Sequence, residues 1–377
     1  MARIYFDHNA TSPLRPAARD VFVAALDAGN ASSIHAEGRA ARARLETARA
    51  QLARHFQVKP ELVVFTSGAT EAANMVLSPA LAHGHCDRLL VGAGEHPCVA
   101  AGHGFAGEAV ARVALDSQGR LDLADLREKI SGATAPMLAL QAANNETGVL
   151  QPVAEAAALV HASGGVLVCD AVQALGRIDC SFAATGADVL FVSSHKIGGP
   201  QGAGAAIFSR RAVMPAKAFL RGGGQERGFR GGTENVAAIA GFAAACAEAL
   251  AQREPEMARL GALRDRIEAE VKAFAPEVVM FGAEAPRLEN TLAFALPGLS
   301  AETLVAALDV EGVAVSSGSA CSSGKVAASA VLAAMGIAPE IARCALRISL
   351  GWPNNEREGV AFPDILSRVR QRMRNRA

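Results

Sequence analysis

The sequence predicts an α/β fold built on a mostly parallel sheet, followed by a smaller α+β part. Two observations lead to this. From about residue 60 an apolar run, a polar or glycine-bearing turn and a helical stretch recur in that order, the pattern of parallel strands joined by helices. Around residues 253–256 the rhythm changes to one charged helix followed by shorter strands. With 377 residues, 51% hydrophobic and 20% charged, the chain has material for two packed cores and is not a mainly disordered protein.

The first unit is the most legible. Residues 62–65, LVVF, form a buried strand, 66–70 a turn of small residues, and 71–77 the start of a helix. Further strands fall at 88–91, 137–141, 166–169, 189–192 and 205–208, each a short apolar run bounded by turn residues. A charged helix over 257–274 then leads to strands at 291–295, 313–316 and 346–350. The extended N-terminal segment packs on this second part.

Lysines plus arginines number 37 and acids 37, so no overall charge draws the chain to nucleic acid or an anionic membrane. No apolar run approaches the length of a membrane span, and MARIYFDHNATSPLRP lacks the pattern of a secretory signal, which predicts a cytoplasmic protein. Seven cysteines, at 86, 98, 169, 180, 246, 321 and 344, form no CxxC pair. Their odd number argues for reduced thiols, most of them in the core. His83, His85, Cys86 and His96 have zinc-ligand chemistry, but HGHCD reads better as a polar surface turn, and no metal is expected.

In an open parallel sheet, ligands bind beyond the carboxyl ends of the strands, and three such ends are chemically loaded. Gly68-Ala69-Thr70 opens a helix, where free backbone N–H groups suit a phosphate, although the same residues also make an ordinary N-terminal turn. Asp170, with Gln173 after it, ends GGVLVC. It either caps or meets solvent, or pairs with a protonated ring nitrogen that keeps pyridoxal phosphate electron-withdrawing. Lys196, in SSHKIGGPQGAG, is at a place where a surface lysine is ordinary. Its glycines nonetheless permit close backbone approach, and Ser193 and His195 supply donors for a phosphate beside an amine able to form a Schiff base.

AGEHPCV, NNETGVLQP, CDAVQ, SSHKIGGPQGAG, GGGQERGFRGGTENVAAIAGF, SSGSACSSG and LRISLG closely resemble the successive signature segments of cysteine desulfurases, which are class V aminotransferases of fold type I. With YFDHNATSP and NASSIHAEG near the start, the resemblance covers nearly the whole chain in order. It implies a pyridoxal-phosphate-dependent fold with a mostly parallel seven-stranded sheet flanked by helices. It also implies a large domain over 13–254, and a small α+β domain from 1–12 and 255–377 that holds the catalytic cysteine.

By that resemblance Lys196 is the Schiff-base lysine, Asp170 faces the pyridine nitrogen, Gln173 bonds the phenolic oxygen and His96 stacks over the ring, where a neutral imidazole can accept the substrate thiol proton. Asn145 lies near cofactor and substrate. Ala69, Thr70, Ser193 and His195 hold the phosphate, and Thr233 reaches the phosphate of a neighbouring subunit, implying a homodimer. Arg347, on an alternating strand where arginine often faces solvent, instead grips the α-carboxylate. Cys321 is the nucleophile that converts L-cysteine to L-alanine and keeps the sulfur as a persulfide for an iron–sulfur scaffold or another sulfur carrier. The 26 positions from Cys321 to Arg347 resemble the long-loop subclass, and GTEN with SACSSGK resembles the nitrogen-fixation-associated branch.

His8, residues 327–332 and Trp352 depart from the family pattern. The alternatives are a selenocysteine lyase or another class V aminotransferase, which needs Lys196 but not Cys321, and, remotely, an RNA-binding protein using the Gly/Arg stretch 221–232 and the arginine-rich tail.

Overall fold

Short runs of β-branched and other apolar residues become strands largely where the pattern places them. The computed structural model describes residues 3–81, 86–318 and 329–375. Its strands are β1 (Ile4–Tyr5), β2 (Val63–Thr66), β3 (Arg88–Gly92), β4 (Val110–Val113), β5 (Pro136–Gln141), β6 (Val166–Asp170), β7 (Val189–Ser193) and β8 (Gly204–Phe208). They continue as β9 (Val279–Met280), β10 (Thr291–Ala295), β11 (Val313–Ala314), β12 (Ser316–Ser317) and β13 (Ala345–Ser349).

The main sheet has seven strands in the order β2-β8-β7-β6-β5-β3-β4. Strands β7, β6, β5, β3 and β4 are parallel, whereas β8 is antiparallel to both its neighbours. The sheet is thus mostly parallel, as expected, and β8 is its antiparallel exception for a simple reason. Residues 194–203 hold only a short 3₁₀ turn, Ser194–Lys196, and a parallel return needs a crossover of about a dozen residues or more.

Edge strand β4, VARV, has only Val113 fully buried, so its apolar signal is weak and the sequence reading misses it. The single strand expected at 313–316 is two strands. β11 pairs parallel with β1, and β12 pairs antiparallel with β13, so the chain changes partner at Val315.

Helices Ala36–His55 and Val236–Ala251 cover one face of the main sheet and Ala69–Val76 the other, which explains why the central strands are apolar on both sides. The four-stranded sheet β12-β13-β10-β9 packs beneath helices Arg253–Phe274 and Glu356–Arg374, with Phe6, Phe294 and Phe362 fully buried between them. Among the described residues no single helix is long and apolar enough to cross a membrane.

The Gly/Arg stretch is fastened from within. Glu226 accepts two bonds of 2.7 Å from Arg49 and one of 2.8 Å from the Phe65 N–H. Arg227 and Arg230 pair with Glu46 and Glu71. These arginines serve the protein's own acids, which removes much of the charge the RNA reading relied on.

His8 is fully buried, its Nδ1 2.8 Å from Ser12 Oγ. Burial, with Arg177 nearby, lowers its pKa to about 3, so the ring packs as a neutral group. A Cβ on Gly351 would stand 2.0 Å from that ring. Gly351→Ala is therefore expected to lower stability by about 1–3 kcal/mol, measured by denaturant unfolding. An unchanged midpoint would show that the contact yields freely.

Candidate active site

The strand ends that the sequence singles out meet at one cavity of about 440 Å³. β2 delivers Gly68, Ala69 and Thr70, and the turn after β3 delivers His96. β5 leads to Asn145, β6 ends in Asp170 with Gln173 beyond, and β7 ends in Ser193 before His195 and Lys196. All of them line this cavity.

Helix Ala69–Val76 begins here with Gly68 at its N-cap, and first-turn N–H groups have no partner within the helix. That end attracts an anion. Ser67 and Glu71 are tied together, since the Ser67 N–H donates to Glu71 at 2.8 Å while Arg230 clamps the same carboxylate.

Asp170 is buried, and its Oδ1 accepts the Val172 N–H at 2.9 Å. Burial raises its pKa to about 6, against the lowering effects of that bond and of Lys196. A carboxyl so placed gains by facing a cation such as a protonated ring nitrogen. Lys196 Nζ donates to the carbonyls of Asn9 and Ala10 at 2.7 and 2.8 Å, which draws the N-terminal segment under the cavity. His195 Nδ1 lies 3.1 Å from Thr11 Oγ1. Burial, with Lys196 beside it, lowers the His195 pKa to about 4, so it meets a ligand as a neutral ring.

His96 is the N-cap of the short helix Pro97–Ala100, and its Nδ1 accepts the Cys98 N–H at 3.2 Å. In the neutral ring the hydrogen is therefore on Nε2. Burial and then Lys196 hold its pKa below the ordinary value. The loop bearing it is pinned by Gln141 and Asn144, whose amides donate to the Gly94 carbonyl at 2.7 and 3.1 Å, and by Glu95, which accepts the Gln141 N–H at 2.8 Å.

Gln173 donates to the Asn9 carbonyl at 3.0 Å and accepts from Arg177, so its amide is already oriented. Arg347 does not line the cavity. It is 1% exposed, directly behind Asn145, to whose carbonyl it donates at 3.0 Å, and its other terminal nitrogen donates to Asp7 at 2.6 Å. Thr233 is exposed and lines a separate hollow of about 240 Å³. Cys321 lies outside the described residues, as do His83 and His85.

Sequence reasoning missed several cavity residues, among them Cys98 and Gln201. Cys98 has its Sγ 3.1 Å from His96 Nδ1, and the Pro at the helix start one residue earlier was the available signal. Gln201, within the SSHKIGGPQGAG segment, also lines the cavity. The donors present fit pyridoxal phosphate, with an anion seat at a helix start, an amine and a buried acid lining one hollow of suitable size.

Residues 4–361 match the model of the aminotransferase class-V family. The chain is 38% identical over 381 residues to a cysteine desulfurase of Enterobacter agglomerans, covering 98% of this chain and 94% of that protein. It is 39% identical over 394 residues to one from a Frankia strain, covering 99% and 92%. The X-ray structure of a NifS-like protein from Rickettsia africae superimposes with a TM-score of 0.89 at 31% identity, over 98% of this chain and 99% of that one.

Proposed function

Given that the chain belongs to the cysteine desulfurases of the class V aminotransferase family, we propose that it binds pyridoxal phosphate in the cavity between Lys196 and Asp170 and passes sulfur from L-cysteine to Cys321. The observation behind this is the placement of Lys196, Asp170 and the start of helix Ala69–Val76 around one hollow.

When bound, pyridoxal phosphate supplies an aldehyde for amines and a ring that withdraws electrons from the substrate's α-carbon. Thr70, Ser193, His195 and the N–H groups at Ala69 hold the phosphate, joined by Thr233 of a second copy in a homodimer. Asp170 keeps a proton on the ring nitrogen, and Gln173 holds the phenolic oxygen. Lys196 Nζ would take up and carry the substrate's α-proton. Asn145 faces the α-carboxylate, and Arg347 supports Asn145 from behind, with Asp7 as the standing counter-ion of that arginine.

His96, which lines the same cavity, would lie over the ring. Because its Nδ1 is engaged by the Cys98 N–H, we assign it a donor's role through Nε2 rather than uptake of the thiol proton. Cys321 Sγ then forms an S–S bond to the substrate sulfur as the Cβ–Sγ bond breaks. That bond's electron pair stays with the three-carbon skeleton, which is protonated and leaves as alanine.

We read 13–254 as the cofactor-binding domain, with 1–12 and 255–377 as the smaller one. A cytoplasmic setting agrees with six described cysteines that are all unpaired, and an iron–sulfur scaffold or another sulfur carrier is the expected acceptor. The test is to supply the purified protein with pyridoxal phosphate and L-cysteine. Alanine and protein-bound sulfane sulfur should appear in equal amounts; consumption of selenocysteine alone would overturn the reading in favour of a lyase.

A further inference from the structure

Glu146, in NNETG, points away from the catalytic roles assigned above yet sits at a junction. Its Oε2 accepts the hydroxyl hydrogen of Ser329 at 2.5 Å. A Cβ placed on Gly318 would stand 3.8 Å from that same oxygen. Gly318 and Ser329 are the described residues that bracket 319–328, the stretch whose sequence includes Cys321. Glu146 is also the immediate neighbour of Asn145, which lines the cavity and whose carbonyl accepts from Arg347. Its backbone is fixed by an Asx turn, the Glu146 and Thr147 N–H groups both donating to Asn144 Oδ1 at 2.9 Å. One carboxyl thus bonds the C-terminal border of the cysteine-bearing stretch and lies near its N-terminal border, from a rigid turn beside the active site.

We propose that Glu146 is a positioning residue for sulfur transfer, its ionised carboxylate holding Ser329, and through it the C-terminal border of the Cys321 stretch, next to Asn145 and Arg347. This rests on Cys321 being the sulfur acceptor.

The group is set to respond near neutral pH. Burial raises its pKa to about 7, opposed by the Ser329 bond and by the charge of Arg347. The charge facing it from β13 is Arg347, itself partly offset by Asp7. Ionisation strengthens the bond to the Ser329 hydroxyl, because a charged acceptor holds a donor about twice as strongly as a neutral one. Since the folded pKa lies above the ordinary carboxyl value, ionising Glu146 costs stability as pH rises from there to about 7.

Three measurements test this. In wild type, the rate of persulfide formation on Cys321, followed by mass spectrometry in a single turnover, shows a first rise of about tenfold between pH 6 and 8, centred near pH 7, superimposed on the steady rise that the thiol's own ionisation near 8.5 gives at every pH below that value. In Glu146→Gln the first rise disappears, while the cofactor's spectral response to L-cysteine persists. The same variant gains thermal stability over wild type at pH 8 but not at pH 4, because it lacks the buried ionisation. In Ser329→Ala the first rise disappears as well, since the carboxylate has no hydroxyl left to hold; this variant keeps the proposal testable if Glu146→Gln fails to fold. A Glu146→Gln or a Ser329→Ala profile superimposable on wild type overturns the proposal. Wild type that bleaches with cysteine but forms no persulfide on Cys321 overturns the reading beneath it, and the proposal with it.

Discussion

Cys321→Ser is expected to lose desulfuration by roughly 10⁴-fold or more, as enzymes do when their nucleophile is removed, while still binding pyridoxal phosphate and changing its spectrum with L-cysteine. The described cysteines offer no ready substitute. Cys98, the one among them that lines the cavity, has its thiol pushed far up by burial and by the nearby Asp170 and Glu95. Burial raises Cys86 to about 11, and Cys180 and Cys246 to about 12. Little thiolate exists at such sites near neutral pH, and the thiolate is the attacking form. Undiminished alanine and sulfane sulfur from the serine variant would remove Cys321 from the mechanism.

Lys196→Ala is expected to slow the reaction by about 10²–10⁴-fold, the usual contribution of a positioned acid–base group. The binding side of the change is separable. Borohydride treatment of wild type should fix pyridoxal phosphate to Lys196, found as a modified peptide, and the alanine variant should release the cofactor on dialysis. Persistence of covalent cofactor in Lys196→Ala would place the tether on another amine. The loss also frees the carbonyls of Asn9 and Ala10, to which Nζ donates, so the variant's folding should be checked by its unfolding midpoint.

The sequence was most informative where structure is local. Strands such as β5 and β6, buried along their whole length, announce themselves as apolar runs, and the residues just beyond them become the cavity wall. What escaped depends on partners distant in the chain. The break between β11 and β12 exists because β1 arrives from the other end of the chain to pair with Val313. The pairing of Arg347 with Asp7, and the grip of Glu226 on Arg49, likewise join residues far apart in sequence. No local pattern predicts them. The direction of β8 was readable in principle, since residues 194–203 are too few for a crossover, but an apolar run does not by itself reveal its direction.

The most direct test of sulfur transfer is to give the holoenzyme one equivalent of sulfur-labelled L-cysteine, quench, and map the peptides by mass. The account predicts one labelled sulfur atom on Cys321, matched by one alanine released. Label on Cys98 or on no cysteine, with alanine still produced, would contradict it.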